Sequence, residues 1–441
     1  MKTFQGVIRF IRRIIGKFLK WEKITIALCL LIAGVALYFK IQNQGIEYEY
    51  APARGGIYTE GVLAENSGIL DKKLKTLTYS GLLRLDENLN LKPALAKSWS
   101  IDENSQTYTF ELFDRVPVDK VKNTLTEQKD NLAGLDVQSE GQKIIIKPPK
   151  KIGSLIYNLT EPIIDFGPYQ KAKVEESKLI LEANPDWSLG EPLISKVIIR
   201  IFQDEDKMIS ALESGDIQGA DGVLIASNKQ NAYTIKLQKY IALFFNLSRQ
   251  NMQNKALREA IKNKTDFNPA TSVDLVALDQ PVFTGEVEKL QASLSSKGIT
   301  LNPKYFSSDQ IISEHIPQRN YDILLYGLDF GRDPDIYSYY YSGQIPSPGN
   351  NLSQYFNLEV DKILDKAHQA VLPDKRMEAT KQAQTLIDKD VPNILLKQTE
   401  HDFTISKEVK NVIVGQGITE SDRFQNVWEW YIKTAKVRKY K

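Results

Sequence analysis

Residues 326–343, YGLDFGRDPDIYSYYYSG, crowd three aspartates, one arginine and five tyrosines into one short run. The run is too polar for a core and too aromatic for a plain solvated loop. Carboxylates this close could act as a hydrolytic acid and base or hold a cation. Aspartates flanking a proline, such as Pro334, are however more often turn formers that cap their own backbone. At helical spacing Tyr337, Tyr340 and Tyr341 share a face and Tyr339 leaves it. That face either packs beneath a cleft floor or lends a ring or two to a ligand.

Elsewhere the chemistry is thin. His315, His368 and His401 lie far apart among polar neighbours, the setting of surface histidines. No Ser-His-Asp order, HExxH, P-loop or glycine-rich dinucleotide turn occurs. Cys29, the single cysteine, sits in an apolar run. A metal site would therefore have to be all carboxylate and carbonyl, and neither metal, cofactor nor enzymatic activity is expected.

The elements that must position this run alternate between strand and helix. KVIIRIF (196–202) and YIALFFNL (240–247) read as strands rich in β-branched and aromatic residues. EDKMISALESG (205–215) and GEVEKLQASLSSKG (285–298) read as helices stopped by glycine. Residues 272–328 read as a βαβαβ unit whose strand ends are the usual place for a ligand. A chain of 441 residues, 42% hydrophobic and 25% charged, is an ordinary globular composition too long for one core.

The net charge of +2 hides an asymmetry, because residues 1–23 carry seven basic side chains and one acidic one, leaving 50 basic against 54 acidic in the remainder. A basic excess confined to one end argues against a nucleic-acid surface and for a membrane. Phe4, Val7, Ile8, Ile11, Ile14, Ile15 and Phe18 recur at helical spacing with arginines and lysines on the other faces, an amphipathic helix suited to anionic lipid. Residues 24–41 follow as a transmembrane anchor between Lys23 and Lys40, with Trp21 and Tyr38 at the interfaces and the N-terminus cytoplasmic. A lipoprotein signal needs small residues just before its cysteine, but Ile26, Ala27 and Leu28 precede Cys29 and the apolar run before it is very short. Gly34 and Ala36 could mark a cleavable signal, but the apolar run continues through Phe39, which favours an uncleaved anchor. Residues 42–54 read as a tether.

From residue 55 onward the sequence resembles the family 5 extracellular solute-binding proteins, the oligopeptide, dipeptide and nickel-binding group of ABC importers. A Gly-Gly strand is followed by LTYSGLLRLDENLNLKPALAKSWSIDENSQTYTFEL (77–112). GPYQ at Gly167, LEANPDW at Leu181, VIIRIFQDEDKMISALESGDI at Val197 and NKALREAI at Asn254 then come in the family's order. The resemblance implies an α/β, two-lobed periplasmic-binding-protein-like fold of the second type, with hinge strands near 240–247 and 392–399. Lobe I would comprise 55–240 and 400–441, with a reduced accessory subdomain at 113–166 where FDRVPVDKVKNTL replaces the family's His-Asp-Gly turn. Lobe II would comprise 241–399.

The resemblance also places residues 322–342 in the ligand cleft, where an aspartate of peptide-binding members pairs the ligand's ammonium. Asp329 is the first choice here and Asp333 the second, with Leu328 where the family has tryptophan. Phe330, Asp335, Tyr337 and Tyr340 are further contacts, and Tyr58 and Glu60 lie on the opposite strand edge. Asp335 either caps a helix or meets ligand. Arg332 either pairs Asp329 or Asp333 internally or receives a ligand carboxylate. The expected function is capture of a short peptide or other small solute by lobe closure and delivery to an ABC permease, with a non-transporting sensor or scaffold, and more remotely a hydrolase, as alternatives.

Overall fold

Strand and helix signals become a layered α/β body through two long strands. The computed structural model describes residues 16, 19–43, 47–64, 75–128, 132–175 and 177–439. It separates into two compact units, one of Arg54–Ile432 and one drawn from Met1–Ala53 and Lys433–Lys441.

The smaller unit holds a helix, Lys20–Asn43, and a strand, Glu47–Ala53, paired antiparallel with Lys433–Lys439. Lys20–Lys40 is long and apolar enough to cross a membrane. The strand occupies a segment whose composition reads as a tether. Its register sets Glu47 opposite Lys439 and Tyr48 opposite Arg438, with the Lys436 ammonium 4.3 Å from the Tyr48 ring centre. A cation over an aromatic face of this kind helps to stabilise a ribbon. Most of the amphipathic segment expected over 1–23 lies outside the described residues.

In the larger unit an 11-stranded sheet runs Ile299–Phe306, Thr271–Leu278, Ile323–Asp329, Gln230–Phe245, Asn393–Ser406, Gly219–Asp221, Ile57–Leu63, Lys196–Phe202, Lys178–Ala183 and Tyr169–Glu175, with Gln416–Gly417 beside Gln230–Phe245. The first three strands are mutually parallel, as the βαβαβ pattern predicts. A separate 4-stranded sheet is formed by Ala96–Asp102, Thr107–Leu112, Asp136–Glu140 and Lys143–Lys147, of which the last two strands fall within 113–166.

Two apolar cores share the main sheet. Ile235 and Leu237 belong to a core with Tyr58, Phe110, Phe403 and Trp430, whereas Ile241, Leu243 and Phe245 belong to another with Leu257, Leu275 and Leu325. Gln230–Phe245 therefore crosses from one lobe to the other between Leu237 and Ile241. Its partner does the same, with Ile394 and Leu396 leaning on the second core and Phe403 and Ile405 buried in the first. The ladder between the two strands breaks register between Lys236 and Tyr240 and again between Ile241 and Ala242. Bulges at such a crossing bend and twist the ribbon where the lobes meet.

Local signals account for the helices. Asp204 accepts from the Lys207 backbone N–H at 2.9 Å, and Gly215 at φ 87° ends the helix Glu205–Ser214 in the left-handed region. The helix expected from 285 begins earlier, at Pro281, because Pro at the first turn lacks only a donor the helix would leave free. Gly285 is thereby an interior helical residue, and nothing lies within 4 Å of the place a Cβ would take there. Gly219 is the opposite case, since a Cβ there would overlap the Tyr58 hydroxyl. Gly285→Ala is expected to raise stability by about 0.5–1 kcal/mol, and Gly219→Ala to lower it by about 1–3 kcal/mol through overpacking. Urea unfolding of the full chain in detergent reads both, and equal effects would contradict this packing.

Candidate functional site

The acidic run leaves the strand Ile323–Asp329 and is held by a residue far along the chain. Arg376, from the helix Pro373–Asp390, is 1% exposed. Its Nε and Nη2 donate to the two Asp333 carboxylate oxygens at 2.7 and 2.5 Å, and Nη2 also donates to Asp335 at 2.9 Å. Nη1 donates to the carbonyls of Ala367 and His368 at 2.7 and 2.8 Å. A planar fork of fixed donors suits such a two-carboxylate site. His368 Nδ1 adds a 2.6 Å contact to Asp335, which also caps Tyr337 N at 2.9 Å. Burial works against the Asp335 charge, but the His368 hydrogen bond and the Arg376 charge outweigh it and hold the carboxyl below its usual range.

The rest of the run is packed or turned outward. Leu328 is 2% exposed in the second core, and Tyr340 is equally buried with its hydroxyl donating to Asn393 at 3.0 Å. Tyr337 stacks between Tyr341 and His368 at 4.2 and 4.3 Å. Phe330 meets Tyr240 and Tyr339 edge-on, and its N–H donates to the Gln238 carbonyl at the crossing. The Asp329 side chain is 53% exposed, 3.7 Å from Lys239.

Tyr58 and Glu60, expected at a strand edge facing ligand, are both 0% exposed. Glu60 and Asp221 pair with Arg423, itself 0% exposed, and the Tyr58 hydroxyl donates to Glu60 at 2.6 Å. His401 Nε2 lies 2.8 Å from Asp221. Burial pushes the Arg423 guanidinium down to about 10, still charged at neutral pH. This network closes the interior of the first lobe behind Phe424, over whose ring the Arg423 guanidinium sits at 4.4 Å.

In front of Phe424 lies a cavity of about 90 Å³ that is open to solvent. Its wall is aromatic and basic: the Arg84 guanidinium lies 5.1 Å from the Trp428 ring centre, and Trp428 meets Trp187 at 6.0 Å. Tyr79, Thr160, Gln416 and Gln425 also line it. Every described lining residue comes from the first lobe except Arg332, whose Nη1 is 3.5 Å from Thr160 Oγ1. Among the described residues Arg332 forms no ion pair with Asp329 or Asp333. Two carboxylates line the cavity, and both are engaged. Asp86 accepts from Asn88 N and Asn90 N at 2.9 Å each, and Asp422 from Ile418 N and Thr419 N at 2.7 and 3.0 Å. Burial lowers the Arg84 pKa, with Glu429 and Asp86 opposing that fall. No group of three or more His, Cys, Asp or Glu able to hold a metal occurs among the described residues.

Of the residues singled out from the sequence, Arg332 is therefore the one that lines this cavity. Arg84, Trp187 and Trp428 were missed. Arg84 stood in plain view inside the apolar stretch LLRL, where a cation between leucines is a usable signal. The histidines read as surface residues are more engaged than expected, two of them each bonded to an aspartate.

Residues 120–270 match the model of bacterial extracellular solute-binding proteins, family 5. The chain is 23% identical over 308 residues to the "Probable D,D-dipeptide-binding periplasmic protein DdpA" of Escherichia coli, covering 56% of this chain and 59% of that protein. It thus spans about three fifths of the length of this curated relative. The fold is also similar to the ABC transporter substrate binding protein CtaP of Listeria monocytogenes, with a TM-score of 0.67 at 18% identity over 86% of this chain and 99% of that one. NikZ of Campylobacter jejuni, in complex with Ni(L-His), gives 0.58 at 18% over 85% and 99%, and the oligopeptide-binding protein AppA of Bacillus subtilis, in complex with a nonapeptide, gives 0.56 at 17% over 87% and 100%. These likenesses establish a two-lobed α/β solute-binding fold of the second type.

Asp335 and Arg376 yield a pH prediction. A carboxyl whose folded pKa is depressed contributes stability that is complete above its unfolded value of about 4 and is lost as pH falls through the folded value. Arg376→Met, which leaves two partly buried carboxylates without their cation, is expected to cost about 3–5 kcal/mol at pH 7 and clearly less at about pH 4, where the Asp335 carboxyl, no longer held down by the guanidinium, begins to protonate. Urea midpoints at the two pH values check this, and an equal cost at both would mean that Arg376 acts by packing alone.

Proposed function

We propose that the chain is a member of family 5 of the bacterial extracellular solute-binding proteins and the membrane-anchored, extracytoplasmic receptor of an ABC importer that captures a small solute, most readily a short peptide, by lobe closure and hands it to a permease. The observation that carries this reading is Arg332, a second-lobe cation lining a first-lobe cavity. A solute in that cavity would touch both lobes at once. Only a ligand with differential affinity for the closed arrangement can drive closure, and a bridging contact supplies that difference.

Binding without chemistry suits the charges present. The cavity's two carboxylates already accept backbone N–H groups, which leaves no poised base. A helix with Lys20–Lys40 apolar and exposed suits an anchor. Tethering beside a permease would raise the effective concentration of loaded receptor.

A second contact between the lobes bears on closure. The turn between the helices Leu358–Gln369 and Pro373–Asp390 reaches the first lobe, where Val371 joins its core and Lys375 pairs Glu103 at 2.6 Å. A Cβ on Gly153 would overlap both the His368 carbonyl and Arg376 Nη1. Spin labels at exposed Asn104 and Lys262, in a Cys29→Ser background of the full chain in detergent, read the distance between lobes. A pool of tri- to pentapeptides is expected to shorten and narrow that distance, and Gly153→Ala to weaken the response about tenfold, a shift of the closed fraction without a change in the cavity. An unchanged distance together with no calorimetric heat from any peptide pool would contradict the proposal.

A further inference from the structure

The acidic run is acidic in composition only. Asp333 and Asp335 are both bound by Arg376, every donor of which is occupied. Asp329 is outward and beside Lys239, and it does not line the cavity. A ligand ammonium entering here would have to displace a buried, five-bonded guanidinium, which is costly because the released charge would stay in the interior.

The cavity itself is lined by donors that lack acceptors. Its titratable lining consists of Arg84, Arg332, Asp86 and Asp422 together with Tyr79, and the two acids are saturated by backbone and cap contacts, with Lys92 a further 3.5 Å from Asp86. Among the described residues neither arginine has a carboxylate partner within ion-pair distance. Three side chains lining the cavity carry buried N–H groups without an acceptor: Arg84 Nε, Trp187 Nε1 and Gln425 Nε2. Buried donors are normally paired, and donors gathered on one wall call for an acceptor-rich guest. Arginine is the residue best shaped for a carboxylate, which it meets with two parallel bonds.

Resting on the solute-binding reading, we propose that the ligand is held through a carboxylate lodged between Arg84 and Arg332 against the Trp187 and Trp428 rings, and that its ammonium, if it has one, is not recognised by residues 329–335. The class of ligand is thus an organic anion, preferably with an apolar or aromatic body to cover the indole wall.

Thermal-shift titration and calorimetry of the full chain in detergent test this with tri- and tetrapeptide pools in free, N-acetylated and C-amidated forms, alongside aromatic carboxylates and the matched amines. Free and N-acetylated pools are expected to bind within about threefold of each other, and C-amidated pools at least about tenfold more weakly, the loss of one charge-assisted hydrogen bond. Arg332→Gln, a half-exposed side chain with one long contact, is expected to remove the preference for the carboxylate while leaving the ligand-free melting point unchanged. Arg84→Gln is expected to do the same to affinity. If no peptide form binds but aromatic carboxylates do, and lose affinity in Arg332→Gln, the carboxylate site stands and the peptide reading falls. Tight binding of C-amidated pools with loss of N-acetylated ones, or the absence of any carboxylate-bearing binder, would overturn the proposal.

Discussion

The ion pairs of Arg376 with Asp333 and Asp335 organise the loop on which the two lobes meet. Without the guanidinium, two aspartates two positions apart would repel one another in a site with little water. With it, the loop takes one shape: Asp333 and Asp335 face the helix Pro373–Asp390, Pro334 lies between them, and Arg332 is left to reach the cavity. A buried ion pair is weak support for net stability, because desolvation offsets most of its attraction. Its value here is positional. It fixes which charges of the run face the other lobe and which do not.

The same division of labour recurs in the first lobe. Arg423 takes up Glu60 and Asp221 inside the sheet, and Asp86 and Asp422 are consumed as turn and cap residues. Acidic groups are turned inward or into their own backbone, while Arg84 and Arg332 remain at the cavity. A chain that carries nearly equal numbers of acids and bases can therefore leave two arginines at the cavity without an ion-pair partner among the described residues, because the placement of partners decides which charges stay available and the total does not.

Much of the architecture was legible because its signals are local. The strand Lys196–Phe202 and the helix Glu205–Ser214 announce themselves through β-branched runs, an aspartate cap and a terminal glycine. The parallel trio of strands followed from alternation alone. What could not be read was long-range. Gln230–Phe245 is twice the length of the strand visible in YIALFFNL, because its first half is mixed in polarity and is ordered by its partner Asn393–Ser406. The pairing of Glu47–Ala53 with Lys433–Lys439 joins opposite ends of the sequence. At the site, nothing near Asp333 hints at an arginine 43 positions on, and Tyr58 and Glu60 alternate as a ligand-facing edge would, although Arg423 draws Glu60 into the core. Arg84 was the exception, readable from its apolar surroundings and passed over in favour of the conspicuous tyrosines.

The most direct test is a crystal structure of the full chain, or of its complex with whatever solute accompanies it through purification, refined with the ligand in place. The predicted result is a ligand oxygen within hydrogen-bonding distance of the Arg84 or Arg332 guanidinium, with Asp333 and Asp335 still bound to Arg376. A ligand ammonium seated on Asp333 or Asp335, with Arg376 displaced from them, would contradict the account.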